Sequence, residues 1–444
     1  MNRNPNFCLT KIGTEHYLVP FGQEIENIRS SLRMNEASSL LWEKLSEQTD
    51  EKELALALAR EYKVPQAELP EIEKDVHVML RQLMTVGAVT GSLSEKESVP
   101  SGSCISIFDQ EVWDMLCGEE SEYRDIMIGG LRIRLYGSTD YLPDELKDFY
   151  MSEDAGRSSE QDIDINIIVT EEKPQETDEI AVIIEGYTVR VLDGGEYYVI
   201  RSTETPAIRE GHILKDGSRA VIYMGSAGSD GNADGTDAEE KSAAQQPHGR
   251  VPNLEETGTD AEQESTPADA VFHMLRHVFM ICAEKRDMYI IHSASILHDG
   301  RAWLFSALSG TGKSTHTNLW HKLYGTPYLD GDLNLLAFEG GRPVVKGIPW
   351  CGTSGIYTTE TWPLGGIILL ARDPKNYVEE LSVGAKVLGI SMRFISPKWN
   401  EEMLRGVLDF SERIVKSSGI CRLHCNMEDE AAEVCRAWID GREA

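Results

Sequence analysis

Residues 304–320, LFSALSGTGKSTHTNLW, decide how the rest of the chain is read. An apolar run over 302–306 has strand character, Gly310 and Gly312 allow a tight turn, and a helix opens at Lys313. From Ala307 to Ser314 the pattern is A-x-x-x-x-G-K-S, the form of a Walker A phosphate loop. Successive N–H groups of such a turn point at one anion, and the helix that follows adds its positive end. The expected nucleotide-binding residues are therefore Ser309, Gly310, Thr311, Gly312, Lys313, Ser314 and Thr315. Lys313 would reach the outer phosphates of ATP, and the Ser314 hydroxyl would hold Mg2+.

Working outward, Asp330 and Asp332 in YLDGDLNLL end the next strand, where an acid meets the metal directly or through water. Asp332 is the expected metal ligand beside Ser314, and one of the two acids is the expected base. Upstream, YIIHSASI reads as one strand that carries His292 toward the γ-phosphate or the base, with core packing as the plain alternative. The catalytic candidates are thus Lys313, Asp332, Asp330 and His292, with His316 a lesser one. The Gly-rich segment 347–357, GIPWCGTSGIY, presents Trp350, Thr353 and Ser354 as an exposed loop over the acceptor, unless it simply packs between two strands.

A chain of 444 residues is long enough for two or three domains, and its net charge of -31 argues against wrapping nucleic acid or lying on an anionic membrane. The N-terminus has no apolar signal-like region and no run approaches bilayer length, so a cytoplasmic location is expected. Eight scattered cysteines read as reduced thiols. Cys421, His424 and Cys425 share a strand without a second ligand pair, which favours core packing over zinc. Residues 225–269 carry eleven acidic side chains against Lys241 and Arg250 and almost no large apolar ones, the composition of a disordered insertion.

The N-terminal segments FCLTKIG, HYLVPFG and RSSLRMN alternate like a small antiparallel sheet, and three helices follow. Asn35 and Asp50 cap the first two, and the third runs from about Leu69 to a stop near Gly87. With no paired catalytic groups, this unit should bind. Between 123 and 224, IMIGGLRIRLYG, DIDINIIVTEE, IAVIIEGYTVRVL, GEYYVIRS and RAVIYMG read as a mostly antiparallel scaffold. Residues 378–393, 400–418 and 428–440 read as amphipathic helices.

HYLVP, LRMNEASSLLWEKL and LMTVGAV, over about 7–92, resemble the PqqD family of small winged-helix-like peptide-binding domains. That resemblance implies a leader peptide added as a strand along an edge near 18–21 and 30–34, with the first two helices as groove wall. IHSASI, FSALSGTGKST, LDGDLNLL, GIPWCGTSGIY and PLGGIILL, over about 272–440, resemble the C-terminal domain of HPr serine kinase/phosphorylase and its ATP-dependent phosphoenolpyruvate carboxykinase relatives. By that resemblance Lys313 and Ser314 keep the phosphate and magnesium roles. Gly331 separates the two acids, which that family sets side by side, and the family's HPr-binding signature is missing.

The expected architecture is α/β, α+β overall. It comprises a PqqD-like domain at 1–92, a linker at 93–122, a β-rich part of the kinase half at 123–224, the disordered insertion at 225–269 and a P-loop domain at 270–444. The expected activity is ATP-dependent phosphorylation of a Ser or Thr hydroxyl on a ribosomally made precursor peptide held by its leader. Other peptide-modifying enzymes are expected partners, nucleic acid and membrane are not, and homo-oligomerisation stays open. The rivals are a small-molecule kinase or carboxykinase-like enzyme with a regulatory N-terminal unit, and a nucleotide-gated peptide carrier.

Overall fold

The computed structural model describes residues 2–27, 30–45, 50–90, 107–118, 121–152, 162–170, 181–186, 188–202, 207–225, 266–307 and 311–443. Residues 226–265 of the expected insertion, together with Ser309 and Gly310, lie outside the described residues.

The N-terminal unit consists of β1 (Asn2–Arg3), β2 (Phe7–Ile12), β3 (Glu15–Pro20), α1 (Gln23–Glu26), β4 (Leu32–Met34), α2 (Glu36–Lys44), α3 (Glu51–Glu61), α4 (Leu69–Thr85) and β5 (Val89–Thr90). The Asn35 side chain accepts from the Ser38 N–H at 2.7 Å and Asp50 from the Glu53 N–H at 2.8 Å, so α2 and α3 start where their caps stand. The sheet order is β2-β3-β4, and β1 pairs with β5. Period-2 alternation splits the hairpin between two cores. Phe7 and Leu18 pack with Leu41, Trp42, Leu54 and Leu80 of its own helices, whereas Cys8, Tyr17 and Val19 pack on Val387, Leu404 and Leu408 far along the chain. One expectation is corrected here. Leu18 belongs to the middle strand and pairs with both Leu9 and Leu32, so the edge left by this sheet away from β2 is β4.

The middle region holds α5 (Gln110–Cys117), β6 (Tyr123–Ile128), β7 (Leu131–Gly137), β8 (Ile163–Val169), β9 (Ala181–Glu185), β10 (Val189–Asp193), β11 (Tyr197–Ser202), β12 (Ile208–Leu214) and β13 (Arg219–Met224). The strands form one sheet in the order β6-β7-β8-β13-β12-β11-β10-β9, antiparallel except where β8 runs parallel to β7 and β13. The segment 93–122 is not wholly a linker: Trp113 of α5 is buried with Phe108 against Val221 and Tyr223. Both ends of 225–269 also belong to the fold. The Gly225 N–H donates to the Ala207 carbonyl at 2.9 Å, and Thr266 and Asp269 form a reciprocal capping box that opens the next helix.

That helix is α6 (Pro267–Glu284), followed by β14 (Tyr289–His292), β15 (Ala294–His298), β16 (Arg301–Ser306), α7 (Lys313–Tyr324), β17 (Tyr328–Asp330), β18 (Leu333–Glu339), β19 (Arg342–Lys346), β20 (Thr361–Arg372), β21 (Tyr377–Glu379), α8 (Val383–Ser391), α9 (Glu401–Ser417), β22 (Gly419–Cys425) and α10 (Asp429–Glu443). The strand order is β14-β18-β19-β20-β16-β15-β17, with β22 beside β20 and β21 beside β22. β16, β20 and β22 run parallel. The chain is α/β, as the sequence reading has it. α7 and α10 cover one face through Trp320, Ala432, Cys435 and Ile439, and α8 and α9 cover the other through Ile390, Val407, Phe410 and Ile414. Residues 278–284 of α6 are all buried, because that end of the helix is wedged between the eight-stranded sheet and the β14–β18 pair and has no solvent face to keep polar.

Two strand assignments change. YIIHSASI is two strands, not one, broken at Ser293. The Ser293 N–H donates to the Asp332 carbonyl at 2.8 Å and the Asn334 amide donates to the Ser293 carbonyl at 2.6 Å, which turns β14 onto β18 and β15 onto β16. The expected helix over 378–393 begins only at Val383, where Ser382 caps it, because the preceding residues pair with β22. Among the described residues, no helix is long and apolar enough to cross a membrane.

Candidate functional site

Three elements converge where β16 ends. β14 delivers His292, whose carbonyl accepts from the Ser306 hydroxyl at 2.6 Å. Gly312, at φ +111, starts α7 with its carbonyl accepting from the His316 N–H. A side chain rarely adopts that φ, so glycine is required there. β17 ends in Asp330, and Asp332 stands two residues on.

The Lys313 Nζ lies 2.7 Å from the His292 Nε2, which lies 2.9 Å from the Asp332 Oδ1; Lys313 to Asp332 is 3.9 Å. One imidazole nitrogen cannot accept from an ammonium and donate to a carboxylate together. The trio therefore resolves into one of two states: Lys313 bonded to a bare Nε2, or an Nε2–H bonded to Asp332 with Lys313 turned away. An anion that draws Lys313 off would select the second.

Burial lowers the Lys313 pKa from its ordinary value and Arg393 lowers it further, against the pull of Asp332. Burial alone would raise the Asp332 carboxyl, but the His292 hydrogen bond, with the charges of His292, Lys313 and Arg276, holds it below the usual range. Asp330 behaves oppositely. It is 3 % exposed, and burial raises its pKa well above the ordinary value even though its Oδ1 accepts from the N–H groups of Asp332 (2.9 Å) and Leu333 (3.0 Å). Its Oδ2 is buried without a hydrogen bond.

Segment 347–357 closes against this turn. The Gly331 N–H donates to the Ile356 carbonyl at 3.0 Å, the Ser354 hydroxyl donates to the Cys351 carbonyl at 2.6 Å, and a Cβ at Gly331 would stand 1.9 Å from the Ser354 Oγ. Thr353 and Ser354 are exposed. Trp350 is not, contrary to the sequence reading: it is 2 % exposed, its indole N–H donates to the Phe272 carbonyl at 3.0 Å, and its ring packs on Phe279 at 5.1 Å. His316 is a core residue whose pKa burial lowers to about 4, and its Nε2 accepts from the Trp320 N–H. Ser314 is exposed and Thr315 half-buried on the first turn of α7; Thr311 precedes them, half-buried. Cys421 is buried, and His424 bonds Glu379 at 2.9 Å.

Arg276 of α6 and Arg393 were not among the residues singled out from sequence. Arg393 is half-buried, its Nε makes no hydrogen bond, and burial followed by the nearby Arg422 lowers its pKa. Its carbonyl accepts from the His292 N–H at 2.9 Å. The one local signal for it is a lone cation inside the apolar run ISMRFI.

Residues 26–89 match the family model described as Coenzyme PQQ synthesis protein D (PqqD). That PqqD segment spans β4 and helices α2 to α4, and so includes the open sheet edge. No curated protein matches the chain. Among solved structures, the chain is similar to one titled as the Hpr(Ser) kinase/phosphatase from Coxiella burnetii, at 11% identity and a TM-score of 0.20, over 35% of this chain and 99% of that one. At that score the likeness carries no argument about residues or reaction.

Proposed function

We propose that the chain is an ATP-dependent kinase that phosphorylates a Ser or Thr hydroxyl of a ribosomally made peptide, whose leader lies along β4 of the PqqD segment. The observation that carries this reading is the Lys313–His292–Asp332 contact at the start of α7, in the same chain as a PqqD match. Lys313 leaves Nε2 for the outer phosphates, and the Nε2–H then holds Asp332 in place. The acceptor oxygen forms the new bond to the γ-phosphorus as the bond to the β,γ-bridging oxygen breaks, ADP departs, and the hydroxyl proton passes to Asp332. A carboxylate of low pKa suffices as acceptor, because phosphoryl transfer depends on positioning and charge stabilisation more than on a strong base. Asp330, sealed beneath the turn, holds the backbone and does not reach substrate.

The donor set suits a hard divalent cation: an exposed Ser314 hydroxyl and a carboxylate held anionic at Asp332. Mg2+ held by Ser314 and Asp332 would neutralise charge on the β- and γ-phosphates. A soluble cytoplasmic enzyme acting beside other peptide-modifying enzymes is part of the same proposal.

A second reading has support in Arg276 near Asp332 and Arg393 near Lys313. Two cations beyond the phosphate lysine would also suit a small anionic acceptor. Mass spectrometry of a leader-bearing peptide incubated with the protein and Mg-ATP separates the readings. A gain of one phosphate that needs both Lys313 and the leader supports the peptide kinase. ATP turnover without peptide labelling favours the small acceptor, and nucleotide binding without turnover leaves only the gated carrier.

A further inference from the structure

We propose that His298, Asp299 and Asp440 form a binding site for one divalent cation of the zinc class, which ties α10 to the β15–β16 hairpin. His298 ends β15 with its side chain 10% exposed, and its Nε2 is buried without a hydrogen bond. That nitrogen lies 3.4 Å from the Asp299 Oδ2 and 3.7 Å from the Asp440 Oδ1. The three donor atoms lie within 4.8 Å of one another. Bonds of about 2.0–2.2 Å to one ion require donors roughly 3–3.6 Å apart, so small rotations of two carboxylates complete the set. An imidazole nitrogen with two carboxylates suits zinc, whereas magnesium and calcium favour oxygen throughout.

The surroundings orient each donor. Asp299 and Gly300 form the two-residue hairpin turn, at φ +48 and +70, which fixes where the Asp299 carboxylate projects. The Asp440 Oδ2 faces the Arg436 Nε at 3.4 Å and leaves Oδ1 for the imidazole. Arg436 is itself held over the Tyr324 ring, and the His298 ring stands edge-on to Trp320 at 5.2 Å. Asp299 and Asp440 are 62% and 50% exposed, so an ion enters from solvent and water fills its remaining positions. The site does not depend on the kinase reading.

The test is full-length protein stripped with a chelator and titrated with Zn2+ and Co2+, with retained zinc counted by inductively coupled plasma mass spectrometry. The expected result is one zinc per chain, a Co2+ spectrum without thiolate charge-transfer absorption, and a melting midpoint raised by zinc. Asp299→Asn and His298→Gln should each weaken the Kd at least tenfold and abolish the midpoint shift. Asp299→Asn keeps the fold, because asparagine tolerates the left-handed turn. Zinc retained equally by wild type and Asp299→Asn, no zinc retained by wild type, or a thiolate band in the Co2+ spectrum would each overturn the proposal.

Discussion

Glu284 ends α6 at 9% exposure, and its Oε2 makes no hydrogen bond. Burial raises its pKa from 4.5 to about 7; Lys285 and Lys398 pull it down and Glu402 pushes it up. In the unfolded chain the group releases its proton near the ordinary value. Between pH 4.5 and about 7 the folded chain therefore binds more protons than the unfolded one, and stability falls as pH rises through that window. Each unit is worth about 1.4 kcal/mol, so the whole loss is about 3 kcal/mol. Glu284→Gln keeps the shape and removes the charge. The variant should match wild type near pH 4.5 and exceed it by about 3 kcal/mol near pH 7. Hydrogen exchange of α6 peptides, corrected for intrinsic rates, reads this locally, which matters because a chain of several units need not unfold in one step. Lys398, lowered by burial to about 8, titrates mainly above the window. A wild-type-to-variant gap equal at both pH values would refute the reasoning.

Other substitutions test the remaining assignments. Asp332→Asn should cut peptide phosphorylation at least a hundredfold and lower stability at pH 7, because the fold favours its carboxylate, whereas Asp330→Asn should leave stability at pH 7 unchanged or higher, since its Oδ1 still accepts the turn's N–H groups; reversed effects would exchange their roles. Trp350→Ala should cost about 3–5 kcal/mol in denaturant titration, as expected for emptying a core site, while a change confined to KM would return Trp350 to the acceptor loop. Leu408→Ala should cost about 2–5 kcal/mol at the contact with the hairpin and speed proteolytic release of the N-terminal unit.

What could be read from sequence was what is local. The caps at Asn35 and Asp50, the stop at Gly87, the strand over 301–306 and the helix opening at Lys313 each depend on neighbours within a few residues. What could not be read came from a distance. Trp350 looked exposed because glycines follow it, yet Phe272 and Phe279 of α6 enclose its indole. The break at Ser293 leaves no mark in YIIHSASI, since the groups that cause it belong to Asp332 and Asn334. Arg276 and Arg393 approach the site from α6 and from the segment after α8, and no spacing rule links either to the phosphate loop.

The docking of the hairpin changes how capture of a leader would act. Cys8, Tyr17 and Val19 rest on α8 and α9, and the segment that leaves α8 runs beside β14, with the Arg393 carbonyl accepting from the His292 N–H and the Ile395 N–H donating to the Ile290 carbonyl, both at 2.9 Å. The sheet bearing β4 is thus packed onto the same stack that carries His292. Under the proposed reading, effective concentration at Lys313 is then set by the peptide's own chain between leader and acceptor, at no more than about 3.3–3.6 Å per residue, and not by the reach of residues 93–122. Shortening the peptide between leader and acceptor one residue at a time should hold or raise phosphorylation down to a threshold length and then abolish it. A gradual decline without a threshold would mean that the N-terminal unit moves independently, and that the contact at Leu404 and Leu408 opens during turnover.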